Sequence, residues 1–476
     1  MTDTATLPRP AAPSPTTQRW VLALTSTASF MVALDALVLT TALTTIRTAF
    51  KTSIATLEWT ANAYNISFAV LLLTGAALGD RFGRRRMFTL GLAVFVAASV
   101  ACGLAGDVGT LIAARTVQGV GAALVMPLAM ALLGAAFPPQ ERGRVLGLFG
   151  GITGLALIAG PLAGGAIVAG LAWPWVFWIN LPVGVVVIAL VLRTCPESFG
   201  PAAPLDLGGL ALAATAALAL VWALVRGDHV GWSSAEVLAA LGVTCALGLA
   251  FVAWEARAAA PMVPLQLFAS RTFTAGITTS FLFYAAMYSV VFFLPQFLQS
   301  AQGFGAFATG VRLLPWTATL FVFAPLGGRL VNRLGERRLV AGGTLLQAVG
   351  FASVGLTAAP DLTLPALALP LVIAGAGVSL AMPAAQAAVL GAVAPPELGK
   401  ASGIFNMARF LGGVCGIALA VAVFALGGDA TSPARFSRGF ALAIGVAAAL
   451  SLAAALVALA LPGRREAASA LARARA

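Results

Sequence analysis

Charge is what this sequence most conspicuously lacks: only 9% of its 476 residues are Asp, Glu, Lys or Arg. A soluble globular chain carries about 25%, so this one has too few charged groups to cover a water-facing surface. With 60% hydrophobic residues and a mean hydropathy of +0.98, it is expected to use lipid as its solvent. Histidine is nearly missing too. His229 stands alone, which excludes a zinc site or a histidine relay, since both need partners. The four cysteines, Cys102, Cys195, Cys245 and Cys415, are far apart. Their spacing fits neither a metal site nor a disulfide framework, and they are expected to be buried structural thiols. No glycine-rich phosphate loop and no Cys/His or Ser/His constellation is found, so neither an ATP-driven pump nor an enzyme is expected. The first 19 residues are polar and rich in Pro and Thr. They lack an early apolar core, so no cleavable leader is expected.

Long apolar runs are abundant. A membrane helix needs about 20 apolar residues, and fourteen runs qualify. Six lie at 20–46, 57–79, 87–106, 109–136, 145–172 and 174–192. A middle pair lies at 207–225 and 235–254. The last six lie at 273–298, 307–328, 339–358, 364–393, 402–427 and 438–461. The breaks between them are short and carry Gly, Pro or charge.

The net charge of +12 on a soluble protein would suggest nucleic acid. Here its placement gives another meaning. With the N-terminus set in the cytoplasm and sides alternating, 20 of the 28 Lys and Arg residues fall on the cytoplasmic side. Five fall outside (Arg47, Lys51, Arg226, Arg435, Arg438) and three within runs (Arg115, Arg312, Arg409). This is a positive-inside pattern. It predicts a multi-pass protein with both termini cytoplasmic, and no nucleic-acid partner.

Two stretches recur. AALGDRFGRRR (76–86) matches GRLVNRLGERR (328–338), and GVGAALVMPLAMALLGAAFPPQERGR (119–144) matches GAGVSLAMPAAQAAVLGAVAPPELGK (375–400). Each pair occupies the same place in its half. The expected organisation is an N-terminal tail (1–19), a six-helix bundle (20–200), two linker transmembrane helices (201–260), a second six-helix bundle (261–461) and a C-terminal tail (462–476). Such parallel halves around a cavity suit alternating access, and because one chain carries both, a monomer is expected.

Several motifs share a common resemblance. They are Gly79-Asp80-Arg81-Phe82-Gly83-Arg84-Arg85-Arg86 after run 2, Arg115 with Gln118-Gly119-Val120-Gly121 in run 4, Gly160-Pro161-Leu162-Ala163-Gly164-Gly165 in run 5, Trp173-Pro174-Trp175-Val176-Phe177-Trp178-Ile179-Asn180-Leu181-Pro182 entering run 6, and Met31-Val32-Ala33-Leu34-Asp35-Ala36 in run 1. Together they resemble the major facilitator superfamily and, within it, the fourteen-helix drug:proton antiporters. Ala76 and Pro174 stand where those proteins more often have Gly and Arg. The resemblance implies an all-α polytopic fold and export of hydrophobic or cationic small molecules from a bacterial cytoplasmic membrane. It implies no cofactor beyond the proton as coupling ion. A dedicated exporter of an endogenous metabolite or antibiotic is the alternative, ahead of a proton-coupled importer or a lipid transporter.

Asp35 lies mid-run, where an ionised carboxylate facing lipid costs at least about 2.5–3.5 kcal/mol. Desolvation favours the neutral form, so Asp35 is the expected proton site. Glu58, opening run 2, is either a second acid at the outer mouth or an interfacial residue. Arg115 needs a partner among carbonyls, polar groups or Asp35, and the resemblance assigns it to proton uptake and release. Asp80, Arg81, Gly83, Arg84 and Arg85 are expected to form a latch between the halves, with Asn332 in the second copy. Gly160, Pro161, Gly164 and Gly165 are expected to pack closely on a second-half helix and seal the cavity. Arg409 is either a gate or cavity residue or a cation snorkelling to the interface. Expected substrate contacts are Asn62, Tyr64, Asn65, Tyr284, Tyr288, Trp316, Gln386 and Asn406, because aromatic faces suit hydrophobic cations.

Overall fold

The structure is a computed structural model that describes residues 14–200, 206–231, 233–394 and 397–463. The first half comprises α1 (Pro15–Phe50), α2 (Ile54–Phe82), α3 (Arg84–Gly103), α4 (Val108–Ala136), α5 (Pro139–Gly154), α6 (Ala156–Gly170), α7 (Trp175–Trp178) and α8 (Asn180–Thr194). A pair follows, α9 (Leu207–Val230) and α10 (Ala235–Glu255). The second half comprises α11 (Arg271–Ser300), α12 (Ala306–Arg312), α13 (Leu314–Thr317), α14 (Thr319–Leu334), α15 (Glu336–Leu356), α16 (Leu364–Gly391), α17 (Leu398–Gly427) and α18 (Pro433–Ala458).

Local sequence sets many of these ends. Ser53, Ser234, Ser270 and Ser432 cap α2, α10, α11 and α18 by accepting a backbone N–H. At α4 the cap is reciprocal. The Thr110 N–H donates to Asp107 Oδ1 at 2.9 Å, and the Asp107 N–H donates to Thr110 Oγ1 at 3.4 Å. The bond from the Thr110 amide holds the exposed Asp107 carboxyl below its usual range. The repeated loop is built on one device in both copies. Gly83 and Gly335 turn the chain at φ 106° and 81°, where a side chain would be strained.

Among the described residues, thirteen helical segments are long and apolar enough to cross a membrane. The remaining expected run, 207–225, falls on α9, a helix over Leu207–Val230. Two runs expected as continuous helices are broken. Run 145–172 divides at Leu155 between α5 and α6, in a glycine-rich stretch with Pro161 beyond it. Run 307–328 divides into α12, α13 and α14, where Pro315 lacks the N–H that would continue the ladder.

The sequence repeat reappears in the packing. α4 packs on α2 and α3 as α16 packs on α14 and α15. α1 packs on α6 and α8 as α11 packs on α17 and α18, and α3 meets α8 as α15 meets α18. The halves join through α2 with α17 and α6 with α12, two contacts that exchange when the halves are exchanged. α9 packs on α10 and α2 at the periphery. The outward surface is apolar, with Leu249, Leu356 and Leu426 at least 73% exposed. The thiol expectation is corrected there: Cys102 and Cys195 are buried, but Cys245 and Cys415 are exposed on α10 and α17. The tails 1–13 and 464–476 and the side chains of His229 and Asn332 lie outside the described residues.

Candidate functional site

Five helices converge on Asp35, which is 3% exposed on α1. Arg115 of α4, 1% exposed, donates from Nη1 to Asp35 Oδ2 at 2.5 Å. The same nitrogen donates to Gln118 Oε1 at 2.6 Å, and Arg115 Nε donates to the Thr60 carbonyl of α2 at 3.0 Å. Asp35 Oδ1 accepts from Gln118 Nε2 at 2.9 Å and from Asn180 Nδ2, at the start of α8, at 2.7 Å. Ser99 of α3 accepts from both amides, at 2.7 and 3.2 Å. The Tyr64 ring centroid is 4.3 Å from the Arg115 guanidinium carbon, and that of Phe177 is 5.8 Å away.

The order of these bonds makes chemical sense. A buried carboxylate is tolerated when paired and hydrogen-bonded, and here one cation and two amide donors satisfy it. Breaking such a pair by removing one partner costs about 3–5 kcal/mol, because the other charge is left uncompensated. Protonating Asp35 removes the same counter-charge from Arg115. Gln118 and Asn180 stand inside recognisable motifs, but a neutral amide gives no chemical signal in a sequence. Ser99 gives none either.

A second feature lies between the halves. A cavity of about 80 Å³ is walled by Leu37 and Thr40 of α1, Pro161 of α6, Met287 and Val291 of α11, Trp316 of α13, Ser379 and Met382 of α16 and Arg409 of α17, among others. Drug-sized ligands occupy roughly 300–1,000 Å³, so the cavity is constricted in this state. Of the expected substrate contacts, only Trp316 is in its wall. Tyr284 is buried beside Arg409, Phe405 and Tyr288. Tyr64 belongs to the Arg115 cluster. Asn62 donates to Glu58 at 3.0 Å, Asn65 is buried on α2, Gln386 is exposed, and Asn406 bonds its own helix at Ser402. Glu58 is 3% exposed rather than open to a mouth.

The glycine-rich stretch of α6 has two close faces. A Cβ on Gly160 or Gly164 would stand 2.4 Å from Leu37 Cβ or 2.3 Å from Thr41 Oγ1 of α1. A Cβ on Gly165 would stand 2.5 Å from the Ala306 carbonyl of α12, and one on Gly310 would stand 2.6 Å from the Pro161 carbonyl. At this end Gln299 Nε2 donates to the Thr41 carbonyl at 3.0 Å, and Arg47 Nη2 to Ser300 Oγ at 3.1 Å. The halves are thus fastened there. Toward the opposite, arginine-rich end, a groove opens between α5 and α14, lined by Arg144, Leu148, Gly151, Ile152, Leu155 and Phe321.

At the arginine-rich end, Asp80 accepts from Arg84 Nε at 2.8 Å. Glu197, after α8, accepts from the backbone N–H groups of Arg85 and Arg86 at 2.8 and 3.3 Å and so caps α3. The Gly200 N–H donates to the Asp80 carbonyl at 3.1 Å, and the Arg84 N–H to the Ser198 carbonyl at 2.9 Å. Arg81 is exposed beside Phe82. These contacts of Asp80, Gly83, Arg84 and Arg85 tie α2, α3 and the segment after α8 together within the first half. Among the described residues they form no latch reaching the second half. Glu197 is an isolated loop acid in the sequence, and only the fold reveals its role.

The chain matches the family model described as Major Facilitator Superfamily over residues 25–416 and again over 277–476. It is 34% identical over 425 residues to the multidrug resistance protein Stp of Mycobacterium tuberculosis, covering 89% of this chain and 79% of that protein. It is 34% identical over 456 residues to a methylenomycin A resistance protein of Streptomyces coelicolor, covering 94% and 93%. In structure it resembles a POT family transporter solved with 5-aminolevulinic acid, with a TM-score of 0.71, 14% identity and coverage of 92% and 94%.

Proposed function

The chain belongs to the major facilitator superfamily, a family of transporters rather than enzymes, and on that premise we propose that it is a proton-coupled efflux antiporter for hydrophobic small molecules, of the fourteen-helix branch. The observation that carries the reading is the buried Asp35–Arg115 pair, a carboxylate and a guanidinium brought together inside the apolar bundle. The names of the similar proteins support export of drugs or antibiotics. The arginine-rich end is placed in a bacterial cytoplasm by the positive-inside rule, and one chain with both halves works as a monomer.

α1 couples the parts. It carries Asp35, then Leu37 and Thr40 in the cavity wall, then Thr41 and Arg47 in the fastened end. A proton reaching Asp35 releases Arg115, and the resulting shift of α1 against α4 and α8 acts on the cavity and on the seal together. Substrate enters from the cytoplasmic side while the far end is closed. Proton entry from the far side then follows opening of that end, and the two loads occupy the carrier alternately. The apolar cavity wall suits hydrophobic cargo. For cationic cargo, the described lining residues offer no carboxylate.

The test is efflux from proteoliposomes carrying an imposed pH gradient, with and without an uncoupler. Wild type should export dye only while the gradient lasts. Asp35→Asn should lose gradient-driven efflux at least tenfold while keeping a normal chromatographic profile in detergent. Efflux by Asp35→Asn at the wild-type rate would refute the assignment. A dedicated exporter of an endogenous antibiotic is a second reading, favoured by similarity to a methylenomycin A resistance protein along nearly the whole of both chains.

A further inference from the structure

Two arginines lie deep in this molecule, and their surroundings differ. Arg115 has a carboxylate, an amide and a carbonyl. Among the described residues, Arg409 is the charged one in the wall of the central cavity, and it forms no ion pair there. Its guanidinium carbon lies 5.1 Å from the Tyr284 ring centroid and 5.3 Å from that of Phe410. Its Nε is buried without a hydrogen-bond partner among the described residues.

A guanidinium has five donors and stays charged at any working pH. Ring faces and a phenol attract a cation, but neither supplies a full negative charge. An unneutralised cation at mid-membrane is costly, and such residues mark the path of a substrate or ion. Near Arg409 the wall offers Met287, Trp316 and Met382 for an apolar body. The site thus presents one fixed positive charge, unmet donors and an apolar wall.

We propose that the missing counter-charge arrives with the cargo: the cavity takes an amphipathic organic anion, its carboxylate or ionised phenol against Arg409 and its apolar body against the methionine and tryptophan wall. The direction of transport rests on the export reading; the binding of an anion does not. Charge balance gives the proposal an electrical signature. One proton moving in against one monoanion moving out carries two positive charges inward, so an interior-negative potential drives the cycle. Exchange of one proton for one monocation carries none.

Three probes with one ring system separate the outcomes: 1-naphthaleneacetate, 1-naphthaleneethanol and 1-naphthylmethylammonium. Each is titrated into the full-length protein in phosphatidylcholine nanodiscs. The acetate should bind about tenfold or more tightly than the other two, the discrimination expected for a hydrogen-bonded charge. Arg409→Gln should erase that preference while still binding the alcohol, which shows the site is folded, and Arg409→Lys should restore part of it. Equal binding of acetate and ammonium, or a preference that survives in Arg409→Gln, would overturn the proposal. So would loss of acetate binding when phosphatidylglycerol is added, because the lipid headgroup would then be the occupant. In proteoliposomes, acetate efflux should accelerate under a valinomycin-imposed interior-negative potential. Acetate that binds at Arg409 but is never carried out would sink the export reading and leave the anion site standing. Ammonium carried out by a pH gradient, with no acetate bound, would do the reverse.

Discussion

Asn180 shows how much a single neutral side chain can decide. Its Nδ2 donates to Asp35 Oδ1 at 2.7 Å and lies 3.2 Å from Ser99 Oγ. Replacing it by leucine removes a donor from a buried carboxylate and leaves Arg115 in place, so gradient-driven efflux should fall about tenfold, the equivalent of one hydrogen bond to a charged group. Transport rates in proteoliposomes check this. Efflux by Asn180→Leu at the wild-type rate would mean that Asn180 only supports packing. At this scale the sequence was legible where charge is rare. Asp35 and Arg115 stand out because a charged residue inside an apolar run must find a partner, and each is the other's. Asn180, Gln118 and Ser99 do not stand out, since their importance comes from meeting in space. Asn62, Asn65, Gln386 and Asn406 are polar groups inside apolar runs, and polarity does not say which way a helix faces.

Among the elements, α6 bears out its expected packing on a second-half helix only in part. Gly165 and the Pro161 carbonyl meet α12 of the other half, whereas Gly160 and Gly164 meet α1 of their own half. Valine at 165 would drive a side chain into the Ala306 carbonyl and the Phe307 Cα, at 2.5 and 2.8 Å already from the first carbon. Backbone cannot yield as a flexible side chain can, so the two helices must part at the fastened end. The expected result is faster collapse of an imposed pH gradient by Gly165→Val in the absence of substrate, by severalfold over wild type. A gradient held as long as in wild type would remove this contact from the seal. The divisions at Leu155 and through α12–α14 were less legible. Hydropathy is continuous across both, and only the prolines hint that hydrogen-bonding is not.

For the molecule as a whole, the two-fold plan was written into the sequence by the repeated loops, and it governs function because paired contacts must open in turn. The fastened end is held by α6 on α12 and by the α1–α11 bonds of Thr41 with Gln299 and Arg47 with Ser300. The arginine-rich end is already parted between α5 and α14, yet α2 still packs on α17 there, with Leu73 filling the space beside Gly403. Which end was closed could not be read from the sequence, since both arrangements use the same residues. A rocking carrier must break the α1–α11 bonds once in every cycle. Cysteines at Arg47 and Ser300, bridged by a short bifunctional methanethiosulfonate, forbid that step. Cys245 and Cys415 are exposed and would compete for the reagent, so the pair belongs in a background where the native cysteines are replaced. Bridged protein should still bind a probe from the arginine-rich side but should stop exporting it, and reductant should restore export. Turnover that continues through an intact bridge would show that the fastened end is not a gate, and the alternating scheme built on α1 would fall with it.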